Sequence, residues 1–154
     1  MGKRLALLLV VALSASAAGV AMSFAKELCL FSEVKGVVLS QGRPVPNAEV
    51  ERVYNWAWKD VTKSDKVRTD QQGRFSFPRA AQSSFLGSLL PHEPVVTQKI
   101  FIRHNGAEYK AWMFTKHNYR ENGELNGKPI TLTCRLESEP AFKGEIFGIC
   151  ALEG

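Results

Sequence analysis

The chain has 154 residues, of which 23% are charged and 45% hydrophobic, and its formal net charge is +5. This length and composition are typical of one globular domain with a single core. The 20 basic residues are spread along the chain and form no dense patch. Because nucleic-acid-binding proteins concentrate their positive charge, this distribution argues against that class of function.

The first residues have the layout of a secretory signal. Two basic residues precede the unbroken apolar run 5–13, and small residues follow it. Signal peptidase needs small side chains at the last and third-last positions, which Ser23 and Ala25 provide. We therefore predict a signal peptide over residues 1–25, cleaved after Ala25, and one exported β-sandwich domain with a C-terminal tail over residues 26–154.

Two alternatives to this processing stay open. Ala15 and Ala17 offer small residues at the same spacing, slightly upstream. The segment 5–25 carries no charge and is about long enough to cross a bilayer, so it would also suit an uncleaved anchor. In each case the predicted location is periplasmic or secreted, and the only expected membrane contact is through this segment.

The chain contains three cysteines, Cys29, Cys134 and Cys150. Disulfides form and persist in the compartments that exported proteins reach, so two of the three are expected to pair. We predict a disulfide between Cys134 and Cys150, which would tie the C-terminal tail back to a strand. Pairing of Cys29 with Cys134 remains an alternative, and one thiol is left over in both cases.

From residue 28 onward, short runs rich in β-branched and aromatic residues are separated by turn residues, which predicts an all-β, antiparallel sandwich. The even positions from Ala48 to Trp58 are mostly apolar, with Arg52 as the exception, which indicates a strand with one inward face. The apolar segment 80–90 lacks alternation and is predicted to be a short helix or a covering loop.

Two further segments complete the predicted topology. After the polar stretch 59–66, residues 67–77 are expected to form a strand, a turn and a strand. The run 129–136 is expected to be the last strand before the tail. No internal repeat and no low-complexity linker interrupts the chain.

The strongest local signal is Asn105-Gly106, the preferred pair for a type I′ turn, between two alternating runs. The turn places Arg103 opposite Glu108, a favourable charge pair. Continued along both strands, this register divides the hairpin into two faces. The predicted inner face consists of Ile100, Ile102, Tyr109, Ala111 and Met113. The predicted outer face consists of Lys99, Phe101, Arg103, Glu108, Lys110, Trp112 and Phe114.

Two motifs resemble the opening of carboxypeptidase regulatory-like, or transthyretin-like, domains. Residues 34–50 match a Gly-x-Val strand followed by a Gly-x-Pro-Val-x-x-Ala-x-Val turn and strand, and residues 69–77 match a Thr-Asp-x-x-Gly-x-Phe hairpin. The resemblance implies a sandwich of two antiparallel sheets used mostly as an accessory or binding module. The paired histidine motifs and the Tyr-Arg-Gly-Ser ending of the related hydroxyisourate hydrolases are absent from the sequence.

The sequence carries no recognisable catalytic or metal-binding signature. His92, His104 and His117 have no common zinc-ligand spacing, and the aspartates 60, 65 and 70 recur too far apart for a calcium loop. We therefore predict no enzyme activity, no metal and no cofactor.

Exposed aromatic side chains beside cations are typical anchors of protein interfaces, so the partner-binding surface is placed on the outer hairpin face. Its predicted residues are Phe101, Arg103, Lys110, Trp112 and Phe114. The alternative is that the segment 80–90 or the C-terminal tail covers these aromatic side chains. The favoured function is a non-catalytic exported module that binds another protein, for example an immunity protein that neutralises a toxic effector. A carbohydrate or cell-wall-binding domain, with tryptophans as stacking platforms, is the alternative. A small hydrolase using His104 or His117 with Glu108 ranks third.

Overall fold

The computed structural model describes residues 25–153, and most of them lie in β-strands. The strands are β1 Lys26–Phe31, β2 Val34–Ser40, β3 Arg43–Pro44, β4 Glu49–Trp56, β5 Val61–Arg68, β6 Arg74–Phe77, β7 Ala80–Ser84, β8 Val96–His104, β9 Ala107–Lys116, β10 Ile130–Arg135, β11 Ala141–Lys143, β12 Ile146–Gly148 and β13 Cys150–Leu152. The predicted signal peptide, its upstream cleavage site and the anchor alternative concern residues that lie outside this described part, except for Ala25, which is the first described residue.

Helical structure in the described residues is limited to two single turns. A 3-10 turn covers Ala57–Lys59, and one α-helical turn, α1, covers Leu86–Leu89. The segment 80–90 therefore contains both strand β7 and the short helix that its lack of alternation suggested. Within residues 25–153, no helix is long and apolar enough to cross a membrane.

Two sheets face each other across the core, which confirms the all-β sandwich. The large sheet has the strand order β11-β12-β9-β8-β4-β5. The second sheet has the order β13-β10-β2-β3, and β6 also pairs with β2. A separate two-stranded sheet joins β1 to β7. Every described pair is antiparallel except β2 with β10, which run parallel.

Apolar side chains from both sheets fill the core. Phe31, Val34 and Phe77 are fully buried on one side, opposite Ile100 and Ile102 of the large sheet. The even positions of β4 point inward as predicted, and Arg52 follows the same pattern because it is only 2% exposed. Its guanidinium donates to both oxygens of Asp65 and to the carbonyl of Pro78, so burial leaves the charge paired.

The structure extends one predicted strand and corrects the prediction of the last strand. The polar stretch 59–66 forms most of β5, because that strand lies at the edge of the large sheet and pairs on one side only with β4. The run around β10 is not the last strand. Three short strands follow it, β11 and β12 in the large sheet and β13 beside β10, so the tail is part of the sandwich.

The two family-like motifs contact each other. The Thr69 hydroxyl donates to the carbonyl of Val45 at 2.7 Å and accepts from the Ala48 amide at 2.8 Å, which holds the turn before β4. Residues 69–74 do not form a hairpin within one sheet. They carry the chain from β5 of the large sheet to β6 of the second sheet.

Gly36 is required by close packing. It pairs with Phe75, and a Cβ atom at position 36 would lie 2.4 Å from Cζ of that ring. The ring therefore lies directly over the bare backbone of β2. This contact explains why the first motif contains a glycine in the middle of a strand, where glycine is otherwise unfavourable.

The predicted disulfide is confirmed. Cys134 and Cys150 are directly paired residues of β10 and β13 and are bonded to each other. Cys29 is a free, buried thiol, so the alternative pairing with Cys134 is wrong. The disulfide joins a strand to the returning C-terminal segment 16 residues later.

Candidate functional site

The hairpin of β8 and β9 was predicted to carry the partner-binding surface. Asn105 and Gly106 adopt positive φ angles of 50° and 77°, as the type I′ turn requires. From the turn to Phe101, which pairs with Lys110, the register is the predicted one. Ile100 then pairs with Trp112, so Ala111 is an extra residue that forms a β-bulge.

The bulge moves two predicted binding residues to the other face. Trp112 lies on the inward face, is 1% exposed and belongs to the core, while Phe114 pairs with the buried Gln98. Placing these two aromatics on the outer face was wrong. Ile149 of the C-terminal segment donates its backbone N–H to the Lys110 carbonyl at 2.9 Å, and this distant contact supports the bulge.

Arg103 stays on the outer face, where acidic side chains surround it. Nη1 lies 2.7 Å from Oε2 of Glu51 and 3.1 Å from Oε1 of Glu49, and Nε lies 2.8 Å from Oε2 of Glu108. Hydrogen bonds to Glu51, and then to Glu108 and Glu49, raise the pKa of the Arg103 guanidinium above its usual range. These three carboxylates accept from Nε and Nη1 of Arg103, which makes the side chain a part of the sheet surface more than a free anion-binding group.

The bulge brings a different apolar group onto the outer face. Successive cross-strand neighbours Phe142, Phe147 and Met113 form a row that ends at Lys99 of β8. The rings of Phe142 and Phe147 lie 5.0 Å apart, and Phe142 is 74% exposed. We name the outer-face patch by its members: Lys99, Phe101, Lys110, Met113, Phe142 and Phe147.

Sequence reasoning placed Phe101 and Lys110 on this face correctly and missed Met113, Phe142 and Phe147. It assigned Met113 to the core because a regular hairpin puts position 113 on the inward face. The apolar run 146–149 was the available signal for the C-terminal contribution. No carboxylate among the described residues lies within 4 Å of the Lys99 or Lys110 ammonium, so both charges are free for a partner.

A second group of reactive residue types lies inside the domain. Oγ of Ser32 donates to Oε2 of Glu124 at 2.6 Å, and Nζ of Lys116 lies 3.0 Å from the same oxygen. Nε2 of Gln98 donates to Oε1 of Glu124 at 2.7 Å. The thiol of Cys29 completes the group, 3.7 Å from the Lys116 ammonium.

Glu124 is held ionised in this enclosure. Burial by itself raises its pKa, but hydrogen bonds from Ser32 and Gln98 and the positive charge of Lys116 outweigh burial, and the net pKa is lowered. Serine, lysine and glutamate together form a catalytic combination in some hydrolases. Here the side chains of Lys116 and Glu124 have no exposed surface, and the Lys116 ammonium donates to the Glu124 carboxylate. In this conformation a substrate has no access to them, and the group joins β1, β8, β9 and the loop after β9.

The three histidines lie in separate surroundings. His92 stacks on Trp58 with ring centroids 4.0 Å apart, and its Nε2 lies 2.7 Å from the Tyr119 hydroxyl. His117 is exposed and 3.8 Å from a Glu93 oxygen, while His104 is next to the hairpin turn. Over residues 25–153, no three histidine, cysteine or acidic residues come together as a metal would require.

A groove of about 560 Å³ lies beside β4 among the described residues. Its lining combines β1, β4, the 3-10 turn, β5, β7 and the start of α1: Leu30, Tyr54, Trp56, Lys59, Val61, Lys63, Gln82, Ser83, Ser84, Phe85 and Leu86. None of these residues was singled out as a binding group from the sequence, apart from Trp56 as a possible stacking platform. The groove lies on the inward side of β4, whereas the outer-face patch lies on the opposite side of the same sheet.

Comparison with known proteins gives one family. The family described as a domain of unknown function, DUF6795, matches residues 34–139. The chain belongs to this family. The match runs from β2 to just before β11, so it includes both family-like motifs and the β8–β9 hairpin, and it leaves out β1 and the three C-terminal strands. None of the curated proteins matches the chain.

Proposed function

We propose that the protein is a non-catalytic, exported binding module that recognises another protein through the outer-face patch. The observation that carries this proposal is the continuous row of Phe142, Phe147 and Met113, which ends beside the Lys99 ammonium. Within residues 25–153, no carboxylate lies within 4 Å of that ammonium. Protein interfaces are enriched in aromatic residues and methionine at their centres. A partly exposed row of this kind beside a cation is suited to a protein with an apolar surface and an acidic rim.

Three further observations support the separate parts of the proposal. The disulfide between Cys134 and Cys150 is consistent with an oxidising compartment, as the predicted signal requires. The enclosed position of Ser32, Lys116 and Glu124 supports a non-catalytic module, because their reactive atoms are occupied by one another. The specific function that we favour is that of an immunity protein, which binds a toxic effector and neutralises it.

We also infer that the sandwich is similar to carboxypeptidase regulatory-like and transthyretin-like domains. Contacts between residues of the two motifs support this inference, in addition to the motifs themselves. The Thr69 side chain of the second motif binds the turn of the first, and Phe75 of the second covers Gly36 of the first. The two motifs therefore depend on each other, which accounts for their occurrence together in the same order.

The test is affinity purification of the tagged protein from the cells that make it, with mass spectrometry of the proteins that co-purify. Phe142→Ser and Lys99→Glu should each weaken capture of a stoichiometric protein partner. Loss of one interface anchor costs about 2 kcal/mol or more, roughly a 30-fold change in affinity. Phe85→Ser is the matched control, since it removes an exposed aromatic side chain from the other side of the large sheet.

Capture of the same partner by Phe142→Ser and by the unaltered protein would contradict the assigned surface. A bait that recovers no protein but binds peptidoglycan or soluble glycans would overturn the protein-binding function in favour of a cell-wall ligand.

A further inference from the structure

A groove opens on the inward side of the large sheet. Its floor consists of core side chains, Leu30 at 3% and Trp56 at 4% exposure. The Trp56 side chain is fixed because its Nε1 donates to the Tyr119 hydroxyl at 2.8 Å. A rigid apolar floor of this kind is typical of a pre-formed ligand site, and the volume of about 560 Å³ lies in the usual range for such sites.

The walls leave the groove open because β5 lies at the sheet edge. Val61 and Lys63 pair with Trp56 and Tyr54, so they lie on the inward face of the sheet, yet both are exposed. β7 and α1 form the opposite wall of the groove, where Phe85 is 54% exposed and Leu86 is 51% exposed. Apolar side chains thus form the floor and both rims of one opening.

The charged groups of the groove have one sign. Lys59 and Lys63 are the charged residues in its lining, which includes no aspartate or glutamate. Nζ of Lys63 lies 3.2 Å from the neutral Oε1 of Gln82, and Nζ of Lys59 lies 6.0 Å from the centre of the Trp58 ring. Among the described residues neither ammonium has a carboxylate within 4 Å, so both are free to bind an anionic group.

We propose that this groove binds a single-chain anionic amphiphile, with the hydrocarbon chain on Leu30, Trp56 and Leu86 and the anionic group at Lys59 and Lys63. Burial of the chain supplies the affinity, and the two lysines select the charge of the head group. This site is independent of the outer-face patch, because its residues lie on the opposite side of the sheet.

The test uses sodium dodecanoate below its micellar concentration as the probe, with the protein in its naturally processed form and its N-terminus determined by intact mass. Titration is followed by calorimetry and by tryptophan fluorescence, since Trp56 lies in the floor. We expect saturable one-to-one binding, and weaker or no binding of dodecyltrimethylammonium, which has the same chain and the opposite charge.

Variants separate the roles of charge and chain. Lys59→Gln with Lys63→Gln should weaken dodecanoate binding roughly tenfold, as expected for two exposed ion pairs, and leave the binding of uncharged dodecyl maltoside unchanged. Leu86→Asp should abolish the binding of both compounds. The matched control, Lys99→Gln with Lys110→Gln, removes the same charge from the outer-face patch and should bind dodecanoate normally. All these side chains are exposed, so the variants should melt at nearly the same temperature as the unaltered protein.

Absence of saturable binding would overturn the proposal, as would equal binding of the cationic probe or full affinity in the Lys59, Lys63 double variant. Binding to phosphatidylglycerol vesicles without binding to monomeric dodecanoate would replace it with docking on a membrane surface. An acidic peptide that binds while dodecanoate does not would replace it with a peptide groove. None of these outcomes depends on a protein partner at the outer-face patch.

Discussion

The Lys116 ammonium lies 3.0 Å from Oε2 of Glu124, and neither side chain has any exposed surface. Charged groups are costly to bury, and this pair is tolerated because Ser32, Gln98 and the Arg120 carbonyl complete its hydrogen bonds. The pair links the end of β9 to the loop after it.

Lys116→Met should lower the free energy of unfolding by about 3–5 kcal/mol, because it leaves the Glu124 carboxylate buried without its counterion. Urea unfolding followed by circular dichroism measures the change. Lys99→Met makes the same substitution at an exposed position of the neighbouring strand and should change the free energy by less than about 0.5 kcal/mol. Equal free energies of unfolding for the two variants would show that the buried pair does not contribute to the stability of the fold.

Glu124 should make the protein sensitive to acid. Its pKa in the folded state is below the ordinary 4.5, so the ionised carboxylate contributes stability that is fully present above pH 4.5. That contribution is lost as the pH falls through the folded-state pKa, because protonation then favours the unfolded chain.

Glu124→Gln removes this titration. The variant should be less stable than the unaltered protein at pH 7, and its free energy of unfolding should fall less between pH 5 and pH 3. Unfolding curves across that pH range measure both effects. Glu121→Gln, at an exposed position of the same loop, should keep the unaltered pH dependence. A Glu124→Gln variant with the same dependence would assign the acid sensitivity to other carboxylates.

The three cysteines should react differently. Intact mass should show one disulfide, and iodoacetamide should label no thiol in the native protein and one, Cys29, after unfolding, because Cys29 is 2% exposed. Cys134→Ser with Cys150→Ser should lower the free energy of unfolding by about 3 kcal/mol, the chain-entropy value for a loop of this size. Labelling of Cys29 in the native protein at the rate of a free thiol would contradict its buried position.

Gly36→Ala should destabilise the domain by about 1–3 kcal/mol, because the added methyl group would overlap the Phe75 ring. Thermal unfolding measures the loss. In the double variant with Phe75→Leu, part of the overlap is relieved, so the two changes together should cost less than their sum. Strict additivity would mean that the two residues do not interact.

Much of the architecture follows from short-range patterns. The type I′ turn at Asn105 and Gly106, the pairing of Arg103 with Glu108 and the inward face of β4 were all predicted correctly. Each depends on neighbours in the chain: a pair of residues that tolerates positive φ, or an alternation with period two. The disulfide between Cys134 and Cys150 was favoured for a similar reason, since the two cysteines are close in sequence.

Other features depend on segments that meet only in the folded protein. Ala111 bulges where the C-terminal segment binds the Lys110 carbonyl, and this one extra residue moves Trp112 from the predicted outer face into the core. β5 is a strand despite its polar sequence, because β4 supplies the hydrogen bonds and the solvent accepts the side chains.

The sequence by itself therefore determined the all-β class, the hairpin turn and the expectation of one disulfide, since local backbone preference and side-chain alternation decide these. Only the tertiary structure decided which aromatic residues are exposed, how Lys116 meets Glu124 and where the groove opens. These features arise from contacts between residues far apart in the chain, and a single bulge reverses a whole face because successive side chains of a strand point to opposite sides.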